Sequence, residues 1–481
     1  MLKKFPLILS SLLFIWKTIG IDQTNSIWIN SNIKQIRETI LELISLLIKS
    51  HGVSFMRAVA QYWGESKLMK DNIDEKQMLI YILININNPT INDLIYYINE
   101  LIIQNQSVKN DKKKQNYIVW CLQFLLTYFE QQKNLSIEYW SILAAMFKEC
   151  LAQSMSSSII FLIIKILSYF VKQSPVFVEK RDLKDFQEIT MKVLEQCNTI
   201  VASSLKQTTW LRKNLQVRRA QADSETVNDS SSETDNESPI LDVDDTSQSK
   251  NSSLNTLAIL AEHAAKLLDV VYNLTDDRDR VVLPYLQNLI PNLMPYVRTH
   301  VASYRTASIL LMNISHYSYT RKTWKKDVFE QLFDSGFFQV DISILRTWKV
   351  IIDNLVTNGK STFRDVFNRI STIQTGLFVS KEQEYEQRAM LIKRFAFVIY
   401  ASEKDQYNQY LPEILTCITD LLKLPQIPVL HIQLFLLLRV LLIRISSKNL
   451  VSFWPIIMAE LIHILLKIEE DLTVTIEEDT K

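Results

Sequence analysis

What most limits the folds open to this chain is a helical period that recurs almost from end to end. Apolar residues fall at i, i+3, i+4 and i+7 in segments about 15 residues long, separated by polar connectors of about 3–8 residues. Residues 33–49 place Ile36, Ile40, Leu43, Ile44 and Leu47 on one face. Residues 117–130, 137–151 and 158–171 repeat the pattern, with breaks at Pro89 and Pro175. Farther along, Ile344, Leu345, Trp348, Ile351, Ile352 and Leu355 share one side of a helix, and Met390, Leu391, Phe395, Val398 and Ile399 share another. Six glycines in 481 residues are too few for the turns of a sheet fold of this size. The pattern predicts an all-α chain.

Length decides how those helices are arranged. A single core stops growing at about 250–300 residues, so a chain of 481 residues is several domains or a repeat array. Helix pairs of about 40–47 residues predict an extended HEAT- or armadillo-like stack of roughly ten pairs, without a strict internal repeat. Pro284, Pro291 and Pro295 are expected to mark helix starts. Residues 430–445 are apolar nearly all round and are expected at the centre of the stack. Trp348 and Trp454 are expected to anchor the interior, with Pro455 in the first turn of the last long helix.

One segment breaks the pattern. Residues 222–249 hold nine acidic residues and seven serines with no Lys or Arg. Such a stretch buries too little apolar surface to offset its ordering entropy and is expected to be disordered. The expected division is therefore a helical block over 1–221, a linker over 222–252, a second block over 253–472 and an acidic tail over 473–481. Ser230 and Ser232 each have an acidic residue three positions on, which makes them candidate phosphorylation sites. The basic residues Lys206, Arg212, Lys213, Arg218 and Arg219 just precede the segment and offer it an internal partner.

Composition excludes several functional classes. A formal net charge of +1 gives no nucleic-acid footprint. Cys121, Cys150, Cys197 and Cys417 are far apart, lack a Cys-x-x-Cys pair, and are read as buried free thiols rather than metal ligands. The apolar run after Lys3 and Lys4 resembles a signal peptide, but Pro6 interrupts it early, so it is read as an amphipathic first helix. No run reaches the roughly 18 uncharged apolar residues expected of a membrane span; residues 159–171 are interrupted by Lys165.

No catalytic constellation appears. Gly359-Lys-Ser-Thr resembles the end of a phosphate-binding loop, but Asn354 stands where the pattern needs glycine, and the preceding segment is helical. The six histidines are scattered, and there is neither Gly-x-Ser-x-Gly nor His-Glu-x-x-His. The chain is expected to be non-enzymatic and without a cofactor. A helical-repeat transport receptor, another protein-interaction scaffold and a helical lipid-modifying enzyme are the other classes this architecture allows.

Four segments resemble the C-terminal region of the Dopey family. They are Tyr-Thr-Arg-Lys-Thr-Trp-Lys-Lys from Tyr319 with Phe-Phe-Gln-Val-Asp from Phe337; Lys-Ser-Thr-Phe-Arg-Asp from Lys360; Glu-Gln-Arg-Ala-Met-Leu-Ile-Lys-Arg from Glu386; and Leu-Pro-Gln-Ile-Pro from Leu424 with Phe-Trp-Pro-Ile-Ile-Met-Ala-Glu-Leu from Phe453. The resemblance is specific from about Thr208 onward, and a C-terminal piece or short form of the family is expected. It implies a peripheral protein of Golgi and endosomal membranes, cytosolic, acting in endosome-to-Golgi and Golgi vesicle transport. Its implied partners are an Arf-exchange-factor-like scaffold, lipid flippases and motor proteins.

One basic cluster then takes on a meaning. Arg321, Lys322, Lys325 and Lys326 crowd the start of a helix whose apolar residues are Trp324, Val328, Leu332 and Phe333. With Thr323 as N-cap, the cations sit where the helix dipole already places positive charge. Free backbone N–H groups plus Lys and Arg make an anion site. For a membrane adaptor the expected occupant is a phosphoinositide head group, with the acidic segment 222–249 as internal competitor.

Overall fold

The computed structural model describes residues 5–21, 27–65, 73–86, 90–106, 112–132, 134–152, 156–173, 177, 179–224, 252–274, 278–298, 303–357, 359, 361–371, 380–423 and 427–479. Among the described residues there is no strand. The chain forms two compact units, Met1–Leu293 and Met294–Lys481.

The first unit begins with α1 (Phe5–Ile21) and α2 (Ile27–Glu65), the latter broken at His51, whose φ of −143° and ψ of 42° are not helical. Next come α3 (Ile73–Ile84), α4 (Ile91–Gln106), α5 (Lys112–Glu130), α6 (Trp140–Leu151), α7 (Ser157–Gln173) and α8 (Lys180–Ser224). Helix α9 (residues 252–274) contains a π-helical stretch at Leu260–Ala264, and α10 (Arg278–Arg298) carries the unit boundary. Helices pack on those two places along: α2 on α4, α4 on α6, α6 on α8, and α5 on α7 on α9. A stack of helix pairs produces that alternation, because each pair buries its apolar faces against the next. Trp140 is fully buried against the rings of Phe170, Phe177 and Phe186, at 5.1–5.6 Å.

The second unit holds α11 (Tyr304–Ser315), α12 (Arg321–Leu332), α13 (Ile342–Thr357), α14 (Thr362–Ser371), α15 (Lys381–Ala401), α16 (Leu411–Leu422), α17 (Pro428–Arg444) and α18 (Trp454–Asp479). The same alternation runs α11, α13, α15, α17. Trp348 is fully buried, donates from Nε1 to Ser308 Oγ at 3.2 Å, and meets the Phe337 ring edge-on at 5.3 Å.

Several expectations change. The division does not fall at 222–252, because α9 packs back on α7 and α8, where His263 Nδ1 lies 3.0 Å from Ser168 Oγ. Residues 225–251, with Ser230 and Ser232, lie outside the described residues. Pro284, Pro291 and Pro295 do not start helices but sit inside the single helix α10. Trp454 is 45% exposed, and the neighbouring Phe453 takes the buried position. Helix α17 is not central: it packs one face on α15 and leaves Ile432 62% and Ile443 54% exposed. Asn32–Gly64 and Val451–Glu470 are long and apolar enough to cross a membrane by length and composition, but charged residues interrupt both, so neither is an uncharged run of about 18 residues.

Candidate anion-binding cleft

The basic cluster is shaped by how α12 begins. A 3-10 turn, Ser318–Thr320, leads directly into the helix at Arg321, two residues earlier than the sequence suggests. Thr320 occupies the N-cap position without capping through its side chain. Its hydroxyl instead accepts from Trp324 Nε1 at 2.9 Å and lies 2.8 Å from the Ile314 carbonyl. With Trp324 fully buried, this contact pins the helix start. Thr323 lies inside the first turn and donates back to Thr320 O at 2.7 Å.

Arg321, Lys322, Lys325, Lys326, Phe329 and Glu330 recur at helical spacing and form one wall of a cleft of about 870 Å³. The opposite wall is α14. Phe363, Val366, Phe367 and Ile370 turn that helix inward, which leaves Asp365, Asn368 and Arg369 facing α12 across the cleft. The Arg369 guanidinium lies over the rings of Phe329 at 4.7 Å and Phe333 at 4.4 Å, so its charge is held in place by stacking.

The four cations predicted from the sequence thus line one cleft, but they are not equivalent. Arg321 is spent on structure: its Nη2 donates to Leu355 O at 2.7 Å and Thr362 Oγ1 at 2.6 Å. Burial lowers its pKa from the usual guanidinium value, and its Nε has no hydrogen-bond partner among the described residues. Lys322, Lys325 and Lys326 have no carboxylate partner among the described residues. Glu330 is drawn off to Arg298 at 3.7 Å, which leaves Asp365 as the carboxylate facing five cationic side chains. The cleft is therefore a concave positive surface lined by hydrogen-bond donors, suited to anionic oxygens.

Ser318, Asn368 and Arg369 also line the cleft, and none belongs to the basic cluster that the sequence marks out. Arg369 was legible as the polar face of an amphipathic helix, but the identity of the facing helix is a tertiary fact. Gly359 owes its presence not to a phosphate loop but to Arg321: a Cβ there would collide with the guanidinium.

The DOP1 C-terminal family model matches residues 124–481, which extends the resemblance upstream of Thr208. Mouse protein DOP1B is 33% identical over 98% of this chain and 21% of its own length. The Drosophila melanogaster DOP1 homolog is 30% identical over 99% of this chain and 18% of its own length. The chain thus spans about a fifth of the length of the curated relatives it matches. The crystal structure of Kap121p bound to Pho4p is 11% identical, covering 96% of this chain and 51% of that one at a TM-score of 0.23. With the family model spanning most of the sequence, the chain belongs to the DOP1, or Dopey, family.

Proposed function

We propose that this chain is a non-enzymatic helical scaffold of membrane trafficking that docks on anionic lipid through the α12–α14 cleft. The observation that carries this reading is the convergence of Lys322, Lys325, Lys326 and Arg369 on one concave surface that, among the described residues, has a single facing carboxylate free of an ion pair. Phosphate oxygens of a phosphoinositide head group match those donors. Membership of the DOP1 family supports a trafficking role. The family resemblance also supports a peripheral position on the cytosolic side of Golgi and endosomal membranes. An Arf-exchange-factor-like scaffold, lipid flippases and motor proteins are the partners proposed on the same ground. In such an adaptor the paired helices present surfaces to partners while the basic cleft holds the membrane.

The test is sedimentation with liposomes of neutral lipid, with and without a few per cent phosphoinositide. Wild-type protein is expected to bind the phosphoinositide liposomes, less so as salt rises, since exposed charges are screened over about 8–10 Å at physiological ionic strength. Changing Lys325 and Lys326 to Glu removes the binding and leaves helicity unchanged. Equal binding by that variant would refute the site.

A further inference from the structure

A second cleft, of about 740 Å³, opens in the first unit between α8 and α10. Its chemistry differs from the first. It holds one cation and one carboxylate, Arg280 and Glu195, and its remaining polar lining is mostly side-chain amide.

The amides are only partly used. Asn292 Nδ2 donates to Asn198 Oδ1 and to Asn288 O, both at 3.0 Å. Both hydrogens of that NH₂ are then spent, while Asn292 Oδ1 and Asn198 Nδ2 keep their capacity. The side-chain amides of Gln287 and Asn288 are exposed and have no hydrogen bond among the described residues. The cleft therefore offers neutral donors and acceptors side by side.

The backbone of α10 adds an acceptor. Pro291 has no N–H, so the carbonyl of Gln287 loses its i+4 helical donor. Both residues line this cleft. A proline inside a helix is destabilising, and here it opens the helix ladder on the face that carries the amides.

We propose that this cleft binds an extended segment of a partner protein through the segment's main-chain amides. Each peptide unit presents one donor and one acceptor. That is the complement of a wall on which, among the described residues, Asn198 Nδ2 is a free donor and Asn292 Oδ1 a free acceptor, and Gln287 and Asn288 supply both. From Arg280 to Pro291 the helix rises about 17 Å, the length of about five residues of extended chain. An anionic ligand does not suit a lining with as many carboxylates as cations, and an apolar ligand would leave the amides unpaired.

The experiment pans a library of random linear peptides of about ten residues, twice the cleft length, against the whole chain. Enriched peptides are synthesised and titrated by fluorescence polarisation. An Asn198→Ala/Asn288→Ala/Asn292→Ala variant is expected to bind them about tenfold or more weakly, the loss of one to two hydrogen bonds. Asn288→Ala alone, at an exposed position that leaves the fold intact, is expected to weaken binding in the same direction. N-methylation of single main-chain nitrogens in the peptide should cost a similar factor, because it removes the donor and keeps the side chain. The proposal is overturned if no peptide is enriched. It is also overturned if enriched peptides bind the Asn288→Ala chain as well as wild type, or if N-methylation has no effect at any position.

Discussion

The guanidinium of Arg321 occupies the space that a side chain on Gly359 would need. From there it reaches Leu355 O and Thr362 Oγ1, tying the start of α12 to the end of α13 and the start of α14. One arginine thus sets the distance between the walls of the basic cleft. Gly359→Ala is expected to expel it and destabilise the protein by about 1–3 kcal/mol, the cost of leaving buried polar groups unpaired. Urea denaturation measures this. In an Arg321→Ala background the same change should cost much less, since the two positions act through one contact; equal costs in both backgrounds would show that they are independent.

The two landmark tryptophans should respond oppositely to truncation. Trp348 is fully buried and bonded to Ser308, so Trp348→Ala is expected to cost about 3–5 kcal/mol. Trp454 stands 45% exposed at the head of α18. Trp454→Ala is expected to change stability by no more than about 0.5 kcal/mol. Unfolding curves for the two variants decide it, and a large loss at Trp454 would place that ring against a neighbour.

Asp405 links stability to pH. It has a positive φ of 63°. Its carboxylate accepts from the Ser446 hydroxyl, from Ser446 N at 2.7 Å and from Asn449 Nδ2 at 3.3 Å. The Ser446 hydroxyl, then the Ser446 amide, hold its pKa down to about 2. The folded value lies below the unfolded value of about 3.9. The contribution is therefore complete above about pH 5 and is lost as pH falls through about 4 towards 2. Asp405→Asn tolerates the left-handed backbone and lacks the charge. It is expected to flatten the acid limb of the stability–pH curve, read as the denaturation midpoint between about pH 2 and 6. An unchanged limb would mean that other carboxylates carry the acid sensitivity.

Thiol reactivity tests the packing of the helix layers. Burial pushes Cys121, Cys150 and Cys197 up to about 12, and the half-buried Cys417 to about 11. Since the thiolate is the reactive form, a chromogenic disulfide at pH 8 should modify the native protein far more slowly than the denatured chain, and Cys417 first. Rapid modification of Cys150 in native protein would contradict the buried position it holds in α6.

Helix identity was legible because burial writes a period into the sequence: the buried face of α13, with Trp348, Ile351, Ile352 and Leu355, is the face that the i, i+3, i+4 spacing picks out. Local spacing does not say which helix faces which. Arg369 joined the basic cleft only because Phe363 and Phe367 turn α14 inward against Phe395. Nor does spacing say where a stack leaves a face uncovered, so the apolar circumference of α17 read as a central helix. The prolines of α10 misled for another reason. Proline is a strong local breaker, yet a helix already packed in a stack can carry its missing hydrogen bonds.

Lys322, Lys325 and Lys326, without a carboxylate partner among the described residues, carry a cost in the free protein, and that cost is measurable. Lys322 is the second residue of the helix, where the macrodipole disfavours positive charge. It also stands four residues before Lys326, a like-charge pair on one face. Lys322→Glu reverses both terms, placing an acid in the first turn and a Glu–Lys pair in the favourable order. The variant is expected to be more stable than wild type by about 0.5–1 kcal/mol at low ionic strength. The gain should shrink in high salt as the exposed charges are screened. An anion in the cleft should reverse the ranking: inositol hexakisphosphate is expected to raise the melting temperature of wild type and leave the variant nearly unmoved, because only the former binds it well. Thermal unfolding of both proteins, with and without the anion at two salt concentrations, tests each of these expectations. If Lys322→Glu is less stable than wild type at low salt, the lysine is engaged within the fold, and the cleft is not held open for a ligand.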